Sequence, residues 1–253
     1  MSKVTIFIYG VIAYAIFFVT FLYAAGFIGN IFVPKSIDSG AQGPLSHALL
    51  INSALLGLFA IQHSLMARKG FKKIWTKIIP EPAERSTYVL FSSLTLILLF
   101  WQWLPMGGVI WDVQSSAGRL IMHSLFVFGW LLVLVATFSI NHFDLFGLRQ
   151  VWLHFRGKKY ISLGFMTPGL YKYVRHPLYV GWLFTFWATP TMTAAHLVFA
   201  LATTTYILIA IQLEERDLID IHGNAYSNYR KNVPMLIPVM RKKNVLQGTF
   251  NEL

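Results

Sequence analysis

The chain has 253 residues, of which 56% are apolar, 16% aromatic and only 12% charged, against about 25% charged residues in a typical soluble domain. So little charge excludes an ordinary soluble domain of this size, and the absence of cysteine excludes disulfides, thiolate metal sites and a cysteine nucleophile. A net charge of +11 would suit nucleic acid on a soluble face, but these charges sit between apolar runs, where the lipid bilayer and its anionic headgroups are the expected partner.

Taken from the N-terminus, the first apolar stretch covers about residues 4–33. It follows a single Lys3 with no small-residue cleavage signal, so it reads as a retained helix rather than a signal peptide. Three more stretches, at about 45–67, 87–106 and 119–140, each reach the roughly 20 residues that cross about 30 Å of hydrocarbon. A fifth block, about 178–213, is broken by Thr189, Pro190 and Thr191, which predicts a helical hairpin. Its first arm, about 13 residues or about 20 Å of helix, is short for a full crossing. The expected fold class is all-α: a polytopic transmembrane helix bundle with five or six membrane helices and a C-terminal helical hairpin.

Charge asymmetry orients it. Lys3 joins three basic groups: Arg68, Lys69, Lys72, Lys73, Lys77 and Arg85; Arg149, Arg156, Lys158, Lys159, Lys172 and Arg175; and Arg216, Arg230, Lys231, Arg241, Lys242 and Lys243. With six crossings these 19 of the 21 basic residues share one side, leaving Lys35 and Arg119 on the other. By the positive-inside rule both termini are then cytoplasmic. His63, Asn141, His142, Asp144, His154, Arg175, His176, Glu214 and Glu215 fall near helix ends on that same side. A site opening to the cytoplasm is expected.

Three stretches carry the chemistry. In Tyr171-Lys-Tyr-Val-Arg175-His176-Pro177-Leu-Tyr179-Val-Gly181, Pro177 suits the first turn of a helix. Arg175 and His176 then sit at a helix N-terminus, where positive charge is favoured only if an anion is present. Interfacial anchoring by Lys172, Arg175 and the tyrosines would also explain this stretch. Glu214-Glu215-Arg-Asp217 closes the hairpin, and the antiparallel return brings it to the side of Arg175 and His176. A solvated helix end is the plain reading, but a cationic or hydroxyl-rich ligand accounts better for adjacent carboxylates, which only accept hydrogen bonds. The third stretch, Gly223-Asn-Ala-Tyr226-Ser-Asn-Tyr229 to Val233-Pro234 and Ile237-Pro238, opens on a helix C-cap glycine and sets two tyrosines on one helical face.

In this order and spacing, residues 164–238 resemble the membrane methyltransferases typified by isoprenylcysteine carboxyl methyltransferase and phospholipid N-methyltransferases. The resemblance implies an S-adenosylmethionine pocket with Tyr173, Arg175, His176, Tyr179, Gly181, Glu214 and Glu215 as cofactor-binding residues. Residue chemistry agrees: Arg175 suits the cofactor carboxylate, Glu214 or Glu215 its ammonium or ribose hydroxyls, and a tyrosine its sulfonium.

The acceptor is read from the other half. Gln62-His63-Ser64 ends the second apolar stretch, and Asn141-His142-Phe-Asp144 follows the fourth. Ionisable groups at such depth mark a functional site unless they simply lie at the water interface. These segments are similar to those of bacterial methanethiol S-methyltransferases and, less closely, of NnrU-type membrane proteins. The resemblance implies a small thiol substrate, methanethiol methylated to dimethyl sulfide in a bacterial inner membrane. A thiolate is the nucleophile, so a base would help, and His63 and Asp144 are the catalytic residues expected. On this reading residues 1–140 form the acceptor side and 141–253 the cytoplasmic segment, hairpin and cofactor-binding region. The alternatives are a lipid or prenylcysteine acceptor, and, in another class, a transporter or heme-handling protein. No metal site is expected, since His63, His123, His142 and His196 show no paired ligand spacing.

Overall fold

A computed structural model describes residues 2–238, so Arg241, Lys242 and Lys243 lie outside the described residues. Helix α1 (Lys3–Gly29) starts where the Ser2 hydroxyl accepts the Thr5 N–H at 3.1 Å, and it ends at Asn30, in the left-handed region at φ 55°. Helices α2 (Leu45–Ala67) and α3 (Lys69–Trp75) follow, then α4 (Glu84–Gln102), strand β1 (Val109–Asp112) and α5 (Ser116–Ile140). Asn141 ends α5 at φ 93°, and its side chain then accepts from the Asp144 N–H to start α6 (His142–Leu145). The chain continues through α7 (Leu148–Phe155), α8 (Pro177–Trp187), strand β2 (Thr191–Thr193), α9 (Ala194–His222) and α10 (Asn224–Asn232).

Among the described residues, α1, α2, α4, α5 and α9 are long and apolar enough to cross a bilayer. Their outward faces are largely apolar, as at Ile8, Ile12, Val19 and Leu22 of α1 or Leu50, Leu58, Ile61 and Leu65 of α2. Contiguous exposed apolar surface of this extent suits lipid and not water.

The hairpin differs in detail from a helix pair. Its first arm, α8, has 11 residues, about 16 Å of helix, and cannot cross alone. Residues 188–193 extend it, and β2 pairs antiparallel with β1, Thr193 opposite Val109 and Thr191 opposite Asp112. The Pro190 carbonyl accepts from the Val113 N–H at 2.9 Å. Residues 177–193 thus form a composite segment, whose non-helical part pairs with β1 and is covered by protein: Met192 is fully buried.

The helices share one core. Its largest cluster includes Phe27 of α1, Ala48 of α2, Leu99 and Phe100 of α4, Trp130 of α5, Phe186 of α8 and Phe199 of α9. Two glycines face each other where α5 and α8 pack. A Cβ on Gly181 would lie 2.9 Å from the Gly129 carbonyl, and one on Gly129 would lie 2.8 Å from the Gly181 carbonyl.

Candidate functional site

Several helix ends and the segment 163–168 meet at the end of the bundle away from the β1–β2 ladder. They enclose a cavity of about 500 Å³, within the range that holds a cofactor-sized ligand. The end of α2, the start of α4, the segment 163–168, the start of α8, the end of α9 and α10 all contribute lining residues.

On one side stand the residues of the C-terminal stretches. Pro177 opens α8, and the two residues before it run alongside the later Val-Pro stretch: the Arg175 and His176 N–H groups donate to the carbonyls of Pro234 (2.9 Å) and Met235 (3.2 Å). The anion that a basic helix N-terminus calls for is supplied by the chain itself. Arg175 Nε lies 2.7 Å and His176 Nε2 3.1 Å from Glu215 Oε1, and Arg230 Nε lies 3.0 Å from Oε2. Glu215 is 3% exposed, so this is a buried ionic cluster. Arg175 Nη1 also donates to the carbonyls of Arg230 and Val233.

Glu214 faces elsewhere. Successive helical residues are rotated by about 100°, so while Glu215 closes the cluster, Glu214 turns to the cavity with its side chain 46% exposed. It accepts the Tyr179 hydroxyl at 3.0 Å. Around it stands an aromatic wall: Phe165 contacts the rings of His222, Tyr226 and Tyr229 at 5.3, 5.6 and 5.4 Å. Tyr171 also lines the space, and its backbone carbonyl accepts the Tyr229 hydroxyl. Burial, helped by Glu214, raises the Tyr171 phenol pKa, and burial with Glu215 does the same for Tyr226. Burial outweighs Arg175 at Tyr229 and pushes it up to about 12. These phenols stay neutral donors at ordinary pH. The Tyr226 hydroxyl is buried in the cavity wall without a hydrogen-bond partner, an arrangement that asks for a ligand.

On the other side stand α2, α4 and two residues of α9. His63 is held between two hydroxyls, Tyr88 at 2.8 Å from Nε2 and Ser92 at 3.1 Å from Nδ1. The Arg85 guanidinium lies 4.9 Å from the Tyr88 ring centroid, and its Nε donates to the Leu145 carbonyl at 2.6 Å. Ser64 meets the Tyr206 hydroxyl at 3.1 Å, and Arg68 pairs with Asp217 at 2.9 Å across the α2–α9 seam.

Of the residues singled out from sequence, the structure brings His63, Arg175, His176, Tyr179 and Glu214 to the wall of one cavity, with Glu215 directly behind. It does not bring the other three there. Asp144 accepts from Arg149 at 2.8 Å and from the Tyr160 hydroxyl at 3.3 Å, away from the cavity. Tyr173 is 68% exposed on the surface. Gly181 is absent from the lining, and its missing Cβ makes room for α5. His142, beside Asp144, is buried between Tyr14 and Thr137 as a packing residue.

Sequence reasoning missed Arg85, Tyr88 and Ser92. Their spacing, three and then four residues apart, sets a polar stripe on one helical face, and that signal was readable. Phe165 and Tyr206 carried no such signal, because their neighbours come from distant parts of the chain.

No protein-family profile matches the chain, and no solved structure matches it. Named relatives do. The chain is 62% identical over 244 residues to a methanethiol S-methyltransferase of Crocosphaera subtropica, covering 96% of each chain. It is 52% identical over 238 residues to a methanethiol S-methyltransferase of Mycobacterium tuberculosis, covering 94% of this chain and 98% of that one. Nurim of Mus musculus is 33% identical over 173 residues, 65% of each chain.

Proposed function

The chain belongs to the methanethiol S-methyltransferase family, and we propose on that premise that it transfers a methyl group from S-adenosylmethionine to methanethiol, forming dimethyl sulfide. The observation that supports this reading best is the shared cavity: the C-terminal carboxylate and tyrosines face the polar stripe of α2 and α4 across one space.

The donor side fits the cofactor chemically. Glu214 is a half-exposed carboxylate suited to an ammonium group or ribose hydroxyls, and the unpartnered Tyr226 hydroxyl is a ready donor. Phe165, Tyr171, Tyr179 and Tyr229 form an aromatic wall suited to a cation. S-adenosylmethionine, when bound, supplies a methyl group activated by its sulfonium charge. The buried Glu215 cluster holds Arg175, His176 and the Pro234 stretch together, so its part is to position this wall.

On the acceptor side His63, fixed by Tyr88 and Ser92, takes the thiol proton. Asp144 is engaged with Arg149 and Tyr160 outside the cavity, so we assign it no proton transfer. A donor-sized ligand would take up most of about 500 Å³, which leaves room for a small thiol rather than a lipid. The basic charge bias of this end supports a cavity that opens to the cytoplasm, and the bacterial relatives support a bacterial inner membrane.

Methyl-labelled S-adenosylmethionine supplied to the purified, detergent-solubilised protein tests this. Methanethiol, a prenylcysteine and phosphatidylethanolamine are offered in parallel. Labelled dimethyl sulfide in the first vessel alone is the expected result; transfer to a lipid acceptor would replace the substrate. Failure to transfer any methyl or to bind S-adenosylhomocysteine would overturn the reading.

A further inference from the structure

Three arginines line the cavity, and two are neutralised: Arg68 by Asp217 at 2.9 Å and Arg175 by Glu215 at 2.7 Å. Among the described residues no carboxylate comes within 4.0 Å of the third, Arg85. Its sequence neighbour Glu84 turns to Lys72 at 3.8 Å instead. Arg85 also occupies the first turn of α4, where the helix dipole disfavours a cation. A partly buried guanidinium on the cavity wall, held by the Leu145 carbonyl and the Tyr88 ring with no carboxylate within 4.0 Å, suits an anionic ligand.

We propose that Arg85 is the anion subsite of this cavity and binds the acceptor sulfur as a thiolate. The inference rests on the thiol methyl-transfer reading above. Position favours the acceptor over the donor's carboxylate: Arg85 lies against Tyr88, which contacts His63. Cation and base are thus contiguous. The thiol S–H bond breaks, its proton goes to His63 and its electron pair stays on sulfur beside Arg85. That pair forms the new S–CH3 bond as the donor's S–CH3 bond breaks, and the donor's sulfonium becomes a neutral thioether. Holding the anion near a fixed cation raises the thiolate fraction, and the thiolate is the reactive form.

Two experiments decide it. In the wild-type protein thiocyanate, a soft anion, is expected to compete with methanethiol and not with S-adenosylmethionine. Competition with the donor, or no inhibition, would overturn the proposal. In Arg85→Gln, kcat/KM for methanethiol is expected to fall on the order of 100-fold, with the rising limb of its pH profile moved to higher pH. Arg85→Lys is expected to recover most of that loss. A readout without turnover accompanies these: the ultraviolet difference absorbance of ethanethiol bound to cofactor-free protein reports its thiolate fraction. Wild type should hold more thiolate at neutral pH than R85Q, with S-adenosylhomocysteine affinity equal in both. An equal thiolate fraction and an unmoved pH profile would remove Arg85 from the sulfur. Loss of S-adenosylhomocysteine binding with retained methylthioadenosine binding would assign it to the donor's carboxylate. If R85Q does not fold, the thiocyanate result stands alone as the arbiter. A wild-type protein that transfers no methyl to methanethiol defeats the functional reading itself, a result distinct from an unaffected R85Q.

Discussion

The two ends of the bundle use polar residues in opposite ways. At the ladder end each named polar group is absorbed by a protein neighbour. Asn52 is fully buried and bonds both backbone groups of Leu104, at 2.7 and 2.9 Å. Trp103 donates to the Ile37 carbonyl at 3.1 Å, and Asp112 accepts from Thr191 at 2.7 Å and Arg119 at 3.2 Å. At the cavity end the residues nearest the core are equally well paired, as Glu215 shows, but the next layer is left open: Glu214 half exposed, the Tyr226 hydroxyl unpartnered, Arg85 without a carboxylate. In one apolar scaffold, pairing within the protein marks structure, and incomplete pairing around a cavity marks recognition.

Glu215 gives the strongest test of that contrast. Glu215→Ala strands Arg175 and His176 in a buried site, and loss of one partner of such a cluster costs about 3–5 kcal/mol. The thermal midpoint in detergent should fall sharply, and S-adenosylhomocysteine binding should go with it. A stable, ligand-binding variant would show that the cluster does not hold the wall. At the opposite end, Asn52→Ala leaves the Leu104 N–H and carbonyl buried and unpaired, a loss of about 1–3 kcal/mol. Here KM for both substrates should stay at the wild-type value; a raised KM would couple the two ends. Gly181→Ala sets a methyl group 2.9 Å from the Gly129 carbonyl, and forced overpacking of this kind costs about 1–3 kcal/mol. A variant with unchanged stability but weakened cofactor binding would instead put Gly181 in the pocket.

Smaller effects sharpen the comparison at the cavity itself. The Tyr229 phenol is held up to about 12 in the folded protein, against about 10 when unfolded. The folded state keeps its proton longer, so this contribution is intact below about pH 10 and is lost as pH rises through about 12. The thermal midpoint should therefore drop over that window, and less steeply in Tyr229→Phe. Smallest of all should be Asp144→Asn, which loosens Arg149 and Tyr160 outside the cavity. Turnover of methanethiol within about twofold of wild type is expected, because a single partly exposed pair is worth about 1 kcal/mol or less; a collapse of activity would restore Asp144 to the chemistry.

Much of the architecture was legible because membrane helices announce themselves. Four of the five long helices lie within a few residues of the apolar stretches, since lipid demands unbroken apolar length. Pro177 at the first turn of α8 and Gly223 at the end of α9 follow from backbone chemistry alone. The composite segment 177–193 was only half visible. Thr189, Pro190 and Thr191 signalled a break, but nothing local showed that the strand after it would pair with residues 109–112. The site divides in the same way. His63 and the Arg175–Tyr179 stretch were marked as polar groups in apolar surroundings, and so was Asp144, which pairs with Arg149 instead.

By itself the sequence determined that this chain lives in a bilayer, how its helices alternate, and which end collects its charge and its ionisable side chains. These properties depend on composition and period, which each segment carries alone. Only the tertiary structure decided which of two adjacent carboxylates is buried and which faces the cavity, that Gly181 serves a helix crossing, and that Arg85 stands without a counter-ion beside His63. A charge becomes structural or functional according to the partner opposite it, and that partner comes from a distant part of the chain: 40 residues away for Arg175 and Glu215, and 60 for Arg85 and Leu145.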